Sequence, residues 1–318
     1  MTDSGETLAG VGEFAVIEQL VAGRPQPAGV LVGPGDDAAV LATGDGRVVV
    51  STDMLIEGRH FRLDWSTPDE VGRKAIAQNA ADIEAMGARP YAFVVGFGAP
   101  GGTPARAATS LSDGMWSEVS RFGASIVGGD LVAAPQWVIS VTVLGQLDGR
   151  APVLLSGARP GNTVAVTGDL GWSAAGYALW NNEIDGFDAL RQRHLVPEVR
   201  YGQGAAAAHA GATAMTDVSD GLIADLGHLA RASAVAVDLS LAALGDDVAA
   251  LAGAAEALRA DPEDWVFGGG EDHALVATFG GAPPSGWRTI GTVRVGEPAV
   301  TVDGAAWHGA AGWESFGQ

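Results

Sequence analysis

The feature that most constrains this chain is a short apolar segment that leads directly into hydroxyl and carboxylate side chains. Its clearest example is Val48-Val49-Val50, which is followed by Ser51-Thr52-Asp53. β-Branched residues favour a packed strand, and α/β proteins place ligand-binding groups at the ends of such strands. Taken alone, the second triplet is better explained as a strand end with a turn, because Ser, Thr and Asp are common in turns.

Recurrence of the pattern changes this interpretation. Similar junctions occur in residues 125–130, 214–220 and 266–271, and each carries an acidic side chain. A glycine-rich turn and a predicted helix supply further acids. The acids collected in this way are Asp36, Asp37, Asp53, Asp82, Asp130, Asp217, Asp220 and Glu271. Their recurrence predicts that several of them serve one ligand.

The donor types indicate which ligand. The chain contains no cysteine, and carboxylates with neighbouring hydroxyls are the ligands that Mg²⁺ prefers, whereas zinc favours His and Cys. The net charge is −20, from 38 acidic and 18 basic residues, which disfavours nucleic-acid binding. An anionic substrate would therefore need metal cations. The one lysine, Lys74, does not follow a glycine-rich loop, which excludes a P-loop and favours metal-assisted phosphoryl transfer.

The predicted architecture is mixed α/β in two domains. The chain has 318 residues, of which 47% are hydrophobic and 18% charged, enough for about two domains with a packed core. Predicted helices alternate with strands in both halves, and Gly and Pro near residues 148–152 mark a join. We expect domains at 1–148 and 149–318. The first residues do not resemble a signal peptide, and no apolar run approaches the ~20 residues of a membrane span, so a cytoplasmic protein is expected.

The acidic motifs resemble those of the thiamine-monophosphate kinase family, and they come in the family's order. The motifs are Gly35-Asp36-Asp37-Ala38, Ser51-Thr52-Asp53 with Gly58-Arg59-His60-Phe61, Asn79-Ala80-Ala81-Asp82, Gly128-Gly129-Asp130, Asp217-Val218-Ser219-Asp220-Gly221-Leu222 and Gly269-Gly270-Glu271-Asp272. The resemblance runs from Gly12 to Trp313 and implies a two-domain aminoimidazole-ribonucleotide-synthetase-like fold. It also implies a homodimer in which the N-terminal sheets pair.

The resemblance implies ATP-dependent phosphorylation of thiamine monophosphate to thiamine diphosphate by direct in-line transfer. It implies that several Mg²⁺ ions are held by Asp37, Ser51, Thr52, Asp53, Asp82, Asp130, Asp217 and Asp220. It implies that ATP contacts Gly129, Asp130 and Ser219, and that thiamine monophosphate contacts His60, Glu271 and Trp313. His60 and Trp313 also have structural explanations, as a packed histidine and as an anchor of the C-terminal tail. Glu57 and Asp272 are predicted to be structural.

One position departs from the family, and other functions remain to be tested. The family usually has an arginine before Ser156-Gly157-Ala158, where this chain has Leu155, so one ATP-phosphate contact is in question. Selenophosphate synthetase and the hydrogenase-maturation relative are disfavoured because they need a reactive cysteine or selenocysteine, and the chain has none. A ribonucleotide cyclo-ligase and a non-catalytic nucleotide- or cation-binding module are the remaining alternatives.

Overall fold

The computed structural model describes residues 7–11, 13–27, 29–32, 39–310 and 312. The chain divides into two compact units. The first comprises Met1–Ile83 and Pro90–Gly149, and the second comprises Glu84–Arg89 and Arg150–Gln318. Both contain helices and strands, so the predicted mixed α/β class is confirmed. The sequence did not predict that residues 84–89 belong to the second unit.

The first unit is built around a four-stranded sheet with the strand order β3-β6-β4-β5. The elements of this part of the chain are α1 Leu8–Val11, α2 Glu13–Val21, β1 Val30–Val32, β2 Val40–Leu41, β3 Val49–Ile56, α3 Pro68–Ala85, β4 Arg89–Ala99, α4 Ala105–Ser120, β5 Ser125–Ala133 and β6 Val138–Gln146. Strands β3 and β6 pair antiparallel, β4 and β5 pair parallel, and β1 with β2 forms a separate two-stranded sheet. One face of the large sheet is covered by the helices, where side chains such as Leu55, Phe93 and Ile139 are fully buried.

Two predicted strand ends are wrong. Strand β3 does not stop at Ser51 but runs through Asp53 to Ile56, and β5 continues past Asp130 to Ala133. The reason is that each segment finds a partner strand along its whole length, β6 for β3 and β4 for β5. Ladder hydrogen bonds therefore override the turn preference of Ser, Thr and Asp.

Helix α3 begins as predicted. The backbone N–H of Thr67 donates to Glu70 Oε2 at 2.8 Å, and the N–H of Glu70 donates to Thr67 Oγ1 at 3.3 Å. These reciprocal bonds form a capping box and satisfy donors that the first helical turn leaves without partners. Gly87, with φ of +69°, follows the end of the helix, where a left-handed residue commonly ends one. The capping-box sequence at Thr67 and the glycine at position 87 predict a helix between them, and α3 confirms it.

The second unit contains a seven-stranded sheet with the order β13-β12-β9-β11-β7-β10-β8. Its elements are β7 Thr163–Thr167, α5 Trp172–Asn181, α6 Asp188–Leu195, α7 Gln203–His209, β8 Ala212–Asp217, α8 Leu222–Ser233, β9 Ala236–Leu239, α9 Gly245–Leu258, α10 Pro262–Gly268, β10 Leu275–Phe279, β11 Arg288–Arg294, β12 Ala299–Val302 and β13 Ala305–Ala306. All pairings in this sheet are antiparallel except that of β12 with β9.

Both faces of this sheet are buried. In β7, Val164 and Val166 pack into a core with side chains of α5 and α8, whereas Ala165 between them packs on the other side with Ala207 of α7. Successive strand residues point to opposite faces, so a continuous apolar strand needs helices on both sides. The apolar runs at residues 163–167 and 274–279 predict such strands, and β7 and β10 confirm them to within a residue. Val266-Phe267, predicted as a strand, lies instead in α10, which begins at Pro262 after an Asp261 cap.

None of the helices in the described part of the chain combines the length and the apolar character that crossing a membrane requires.

Helices α3 and α4 approach each other closely at two glycines. A Cβ atom on Gly72 would lie 2.1 Å from the carbonyl oxygen of Leu111, and one on Gly114 would lie 2.0 Å from that of Asp69. Neither contact is with a flexible side chain, so a methyl group at either position must push the helices apart. The separation of α3 from α4 therefore depends on these glycines.

We predict that Gly114→Ala destabilises the protein by about 1–3 kcal/mol through overpacking, although alanine is the better helix former by about 1 kcal/mol. The measurement is urea unfolding followed by circular dichroism. Gly102→Ala is the matched control, because a Cβ there meets nothing within 4 Å. Equal stability of the two variants would contradict the close approach.

Candidate active site

In the first unit, β3 and α3 bring three predicted ligands together. Ser51 and Asp53 are two residues apart on a strand and therefore point to the same face, toward α3. The Ser51 hydroxyl donates to Asp82 Oδ2 at 2.6 Å, and Gln78 Nε2 donates to Asp53 Oδ2 at 3.1 Å. The result is a half-buried group of two carboxylates and a hydroxyl. Gln78 was missed by sequence reasoning, although its i, i+4 spacing from Asp82 places both on one helix face.

Asn79 fixes the position of this group. Its side chain is fully buried, its Nδ2 donates to the carbonyl oxygen of Ala75 at 2.8 Å, and its Oδ1 accepts from the backbone N–H of Asp53 at 3.1 Å. A buried amide with both ends bonded holds one orientation. Asn79 therefore ties the backbone of β3 at Asp53 to α3.

Thr52 and Asp130 lie on the opposite face of the same sheet. The Thr52 hydroxyl donates to the carbonyl oxygen of Val141 at 2.9 Å, and Thr52 is exposed. Asp130 pairs with Gly96 of the neighbouring strand β4, and a Cβ on Gly96 would face Ser140 of β6. Ser140 in turn pairs with Met54 of β3, whose side chain points away from α3. The first unit alone therefore does not bring Thr52 or Asp130 to Asp53.

Gly129 has a structural requirement of its own. A Cβ atom there would lie 2.1 Å from the carbonyl oxygen of Val95 on the neighbouring strand. Close approach of β4 therefore excludes any side chain at this position. Its predicted contact with ATP stays a prediction.

His60 lies in the turn that follows β3. Its Nδ1 accepts a hydrogen bond from the backbone N–H of Ile56 at 3.0 Å, and Gly58 supplies the positive φ, +78°, that the turn needs. Because Nδ1 is an acceptor, the neutral ring carries its proton on Nε2. The turn thus presents a half-buried histidine of defined tautomer next to the strand that carries Asp53.

In the second unit, β8 ends at Asp217 and α8 begins at Leu222. Between them, the backbone N–H groups of Ser219, Asp220 and Gly221 each donate to Asp225 Oδ2 at 3.0 Å. Burial, together with the negative charge of Asp217, raises the pKa of Asp225 to about 7. Asp225 shapes the loop that carries Ser219 and Asp220. Sequence reasoning missed it, although an acid in the first turn of a helix was the available signal.

Residues 271–273 form a strained segment beside this loop. Glu271 and His273 have φ of +64° and +52°, a conformation that side chains other than glycine adopt rarely. Their backbone N–H groups donate to the carbonyl oxygens of Ser219 and Val218 at 2.8 and 2.9 Å. Glu271 Oε2 lies 3.4 Å from His194 Nδ1. The strain brings the predicted substrate residue Glu271 against the Asp217–Asp220 loop.

Asp272 has the structural role predicted for it. Its buried carboxylate accepts from the N–H groups of Gly171 at 2.5 Å and Ser173 at 2.9 Å, at the start of α5. It thereby caps that helix. Glu57 is structural as well, because its Oε2 accepts from the N–H of Trp137 at 3.0 Å.

The donor chemistry fits Mg²⁺. Hydroxyl and carboxylate oxygens are hard ligands, and the influence of Asp217 and Asp220 on the pKa of Asp225 shows negative charges crowded together. Among the residues that the structure describes, no three His, Cys, Asp or Glu side chains gather at one metal-holding point. Asp37 and Trp313 lie outside the described residues. Leu155 is 40% exposed, and its carbonyl oxygen accepts from the Ser233 hydroxyl at 3.0 Å.

Both halves of the chain match known protein families, and these matches define the class of protein. Residues 35–147 match the family "AIR synthase related protein, N-terminal domain", and residues 159–273 match "AIR synthase related protein, C-terminal domain". The chain is therefore a two-domain AIR-synthase-related protein.

Within this class, the chain belongs to the thiamine-monophosphate kinase family. It is 67% identical to the thiamine-monophosphate kinase of Mycobacterium tuberculosis H37Rv over 312 residues, 98% of this chain and 94% of the relative. It matches the structure of the enzyme from Stenotrophomonas maltophilia K279a with a TM-score of 0.82 and 30% identity, covering 93% of this chain and 98% of the other. It matches "AaThiL complexed with AMPPCP and TMP" with a TM-score of 0.76 and 29% identity, covering 99% of this chain and all of the other, 100%.

We predict that Asp272→Asn removes a pH-dependent part of the stability. Burial raises the pKa of Asp272 to about 7 from the ordinary value of 3.8, so between these pH values the folded state holds a proton that the unfolded state has lost. The contribution of Asp272 to the unfolding free energy of the wild type should therefore fall as pH rises toward 7, by about 1.4 kcal/mol per pH unit at most. Above pH 7 this contribution should no longer change with pH.

The measurement is urea unfolding of wild type and variant from pH 5 to pH 8. The difference in unfolding free energy between wild type and variant should decrease by on the order of 2 kcal/mol between pH 5 and pH 7. Glu297→Gln, at an exposed loop position, should follow the wild-type curve. Parallel curves for wild type and Asp272→Asn would show that Asp272 is ionised throughout.

Proposed function

We propose that this protein transfers the γ-phosphoryl group of ATP to thiamine monophosphate and forms thiamine diphosphate. The observation that carries the proposal is the oxygen group of Ser51, Asp53 and Asp82 on β3 and α3, in a chain 67% identical to a thiamine-monophosphate kinase. An oxygen of the substrate phosphate attacks the γ-phosphorus, the bond to the β–γ bridging oxygen breaks, and ADP leaves. A related structure described with AMPPCP and TMP supports this substrate pair.

We propose that several Mg²⁺ ions are held by oxygen ligands of the acidic motifs. The ligands are Asp37, Ser51, Thr52, Asp53, Asp82, Asp130, Asp217 and Asp220. When bound, the metal neutralises charge that develops on the transferring phosphoryl group. The chain's own residues set the positions: Ser51 orients Asp82, Gln78 orients Asp53, and Asn79 holds the strand between them.

The remaining site residues have chemistry that suits the two substrates. The Nε2–H of His60 is a donor for a phosphate oxygen, and the carboxylate of Glu271 suits a cationic thiazolium. Trp313 and Glu271 are proposed to contact thiamine monophosphate. ATP is proposed to contact Gly129, Asp130 and Ser219. Because ATP is a cytoplasmic metabolite, we place the protein in the cytoplasm.

We propose a homodimer that pairs the four-stranded sheets of two chains. The face opposite α3 exposes large apolar side chains from the described strands: Val50 is 60% exposed, Met54 52%, Val94 37% and Val132 51%. Contiguous apolar patches on a sheet mark interaction surfaces, and the family resemblance assigns this pairing to the N-terminal sheet. Thr52 and Asp130 lie on the same face, so they would lie beside the partner chain.

We predict that Asp53→Asn lowers kcat/KM at least ~100-fold, because it removes one anionic metal ligand while keeping the shape of the side chain. Thiamine diphosphate and ADP are quantified by chromatography after incubation with Mg-ATP and thiamine monophosphate. Asp64→Asn, at an exposed ion pair with Arg62, is the control and should retain wild-type activity.

A wild-type protein that binds ATP but forms no thiamine diphosphate would favour the non-catalytic binding module. Aminoimidazole-ribonucleotide formation instead would favour the cyclo-ligase. Activity of Asp53→Asn within a factor of about three of wild type would remove Asp53 from the metal site.

We predict that Met54→Glu shifts the protein from dimer to monomer, because a charge buried in a sheet-to-sheet interface without a partner is costly. Sedimentation velocity measures the change. Val295→Glu is the control, since Val295 is 86% exposed in the second unit and lies outside the proposed interface. A dimer that persists in Met54→Glu at micromolar concentration would exclude this face.

A further inference from the structure

His273 makes a buried contact with a predicted metal ligand. Its Nδ1 lies 3.0 Å from Asp217 Oδ2. His273 is 6% exposed and Asp217 7%, so solvent screens the contact little. The two residues are 56 positions apart in sequence, and no motif of the family resemblance assigns a role to position 273.

The ligand role proposed for Asp217 determines the direction of this hydrogen bond. A carboxylate that binds a metal is ionised and only accepts, so Nδ1 carries a hydrogen that it donates to Asp217. This donation occupies one carboxylate oxygen and limits rotation of the group. The other oxygen, Oδ1, is then held in one direction, as outer hydrogen bonds hold the carboxylates that bind metals.

The backbone at His273 is strained in a way that serves this contact. Its φ of +52° costs free energy for a residue with a Cβ, and strain of this kind persists only where the surroundings impose it. Two bonds impose it: the N–H of His273 donates to the carbonyl oxygen of Val218 at 2.9 Å, and the ring donates to Asp217. Both bonds are to the end of β8, so the strained residue connects β10 to the acidic loop.

We propose that His273 is a positioning residue that orients the Asp217 carboxylate for the metal. The proposal rests on the proposed function, because it takes Asp217 as a ligand of that site. The proposed role of His273 involves no contact with either substrate. Its effect is on the affinity of the metal.

Two substitutions separate positioning from packing. His273→Asn keeps a donor, since Nδ2 of asparagine is attached to Cγ just as Nδ1 of histidine is, and asparagine tolerates positive φ. His273→Phe keeps a ring but removes the donor. His228→Phe is the control, at an exposed histidine on α8 of the same unit. Thermal melting of all three variants reports whether each is folded.

The measurement is Mn²⁺ binding, followed by electron paramagnetic resonance of the free ion with saturating AMPPCP and no turnover. We expect His273→Phe to weaken at least one Mn²⁺ site by about 10–100-fold, and His273→Asn and His228→Phe to stay within about threefold of wild type. In steady-state kinetics, His273→Phe should need a correspondingly higher Mg²⁺ concentration to reach half its maximal rate. His273→Asn should need about the same Mg²⁺ concentration as the wild type.

Equal Mn²⁺ binding by wild type and His273→Phe would overturn the proposal, as would equal losses in His273→Phe and His273→Asn. Absence of Mn²⁺ binding by the wild type would overturn it too. Failure of the proposed function is a separate result, because it would appear as wild-type protein that binds Mn²⁺ and AMPPCP but makes no thiamine diphosphate.

Discussion

Repulsion between buried carboxylates is the constraint on which the candidate site depends. Two buried acids away from the site are paired with arginine: Glu118 contacts Arg73 and Arg121, and Asp247 contacts Arg288 at 2.5 Å. Near the site, neutral groups hold the acids instead. Asp225 accepts three backbone N–H groups and Asp272 accepts two. Neutral donors add no positive charge, so the field of the ionised acids beside them remains for a cation.

The same constraint accounts for the strained segment at residues 271–273. Three consecutive side chains each contact a different partner: Glu271 contacts His194, Asp272 caps α5, and His273 contacts Asp217. A regular strand would send the first and third to the same face. Positive φ at Glu271 and His273 sends each to its own partner. Backbone strain is common where structure serves function, and here it distributes acids and their donors among separate positions.

Much of the fold could be predicted because its signals are local. The capping box at Thr67, the glycine after α3 and the continuous apolar run of β7 each depend on residues within a few positions of one another. The ends of β3 and β5 could not be predicted, because they depend on partner strands far away in sequence. Val266-Phe267 was misassigned for a related reason: a short apolar run fits a strand or a buried helix equally well, and the Asp261 cap decides for the helix.

By itself, the sequence determined the chemistry of this protein. An all-oxygen set of acids and hydroxyls, no cysteine, one lysine and a net charge of −20 limit the site to hard cations and phosphates, because ligand type alone sets that preference. Only the tertiary structure decided which of these residues meet. Ser51 and Asp53 face α3 while Thr52 faces away, and His273 meets Asp217 because β10 pairs with β8. Those outcomes depend on strand register and on which face of the sheet the helices cover. Both are set by contacts between residues that are far apart in the sequence.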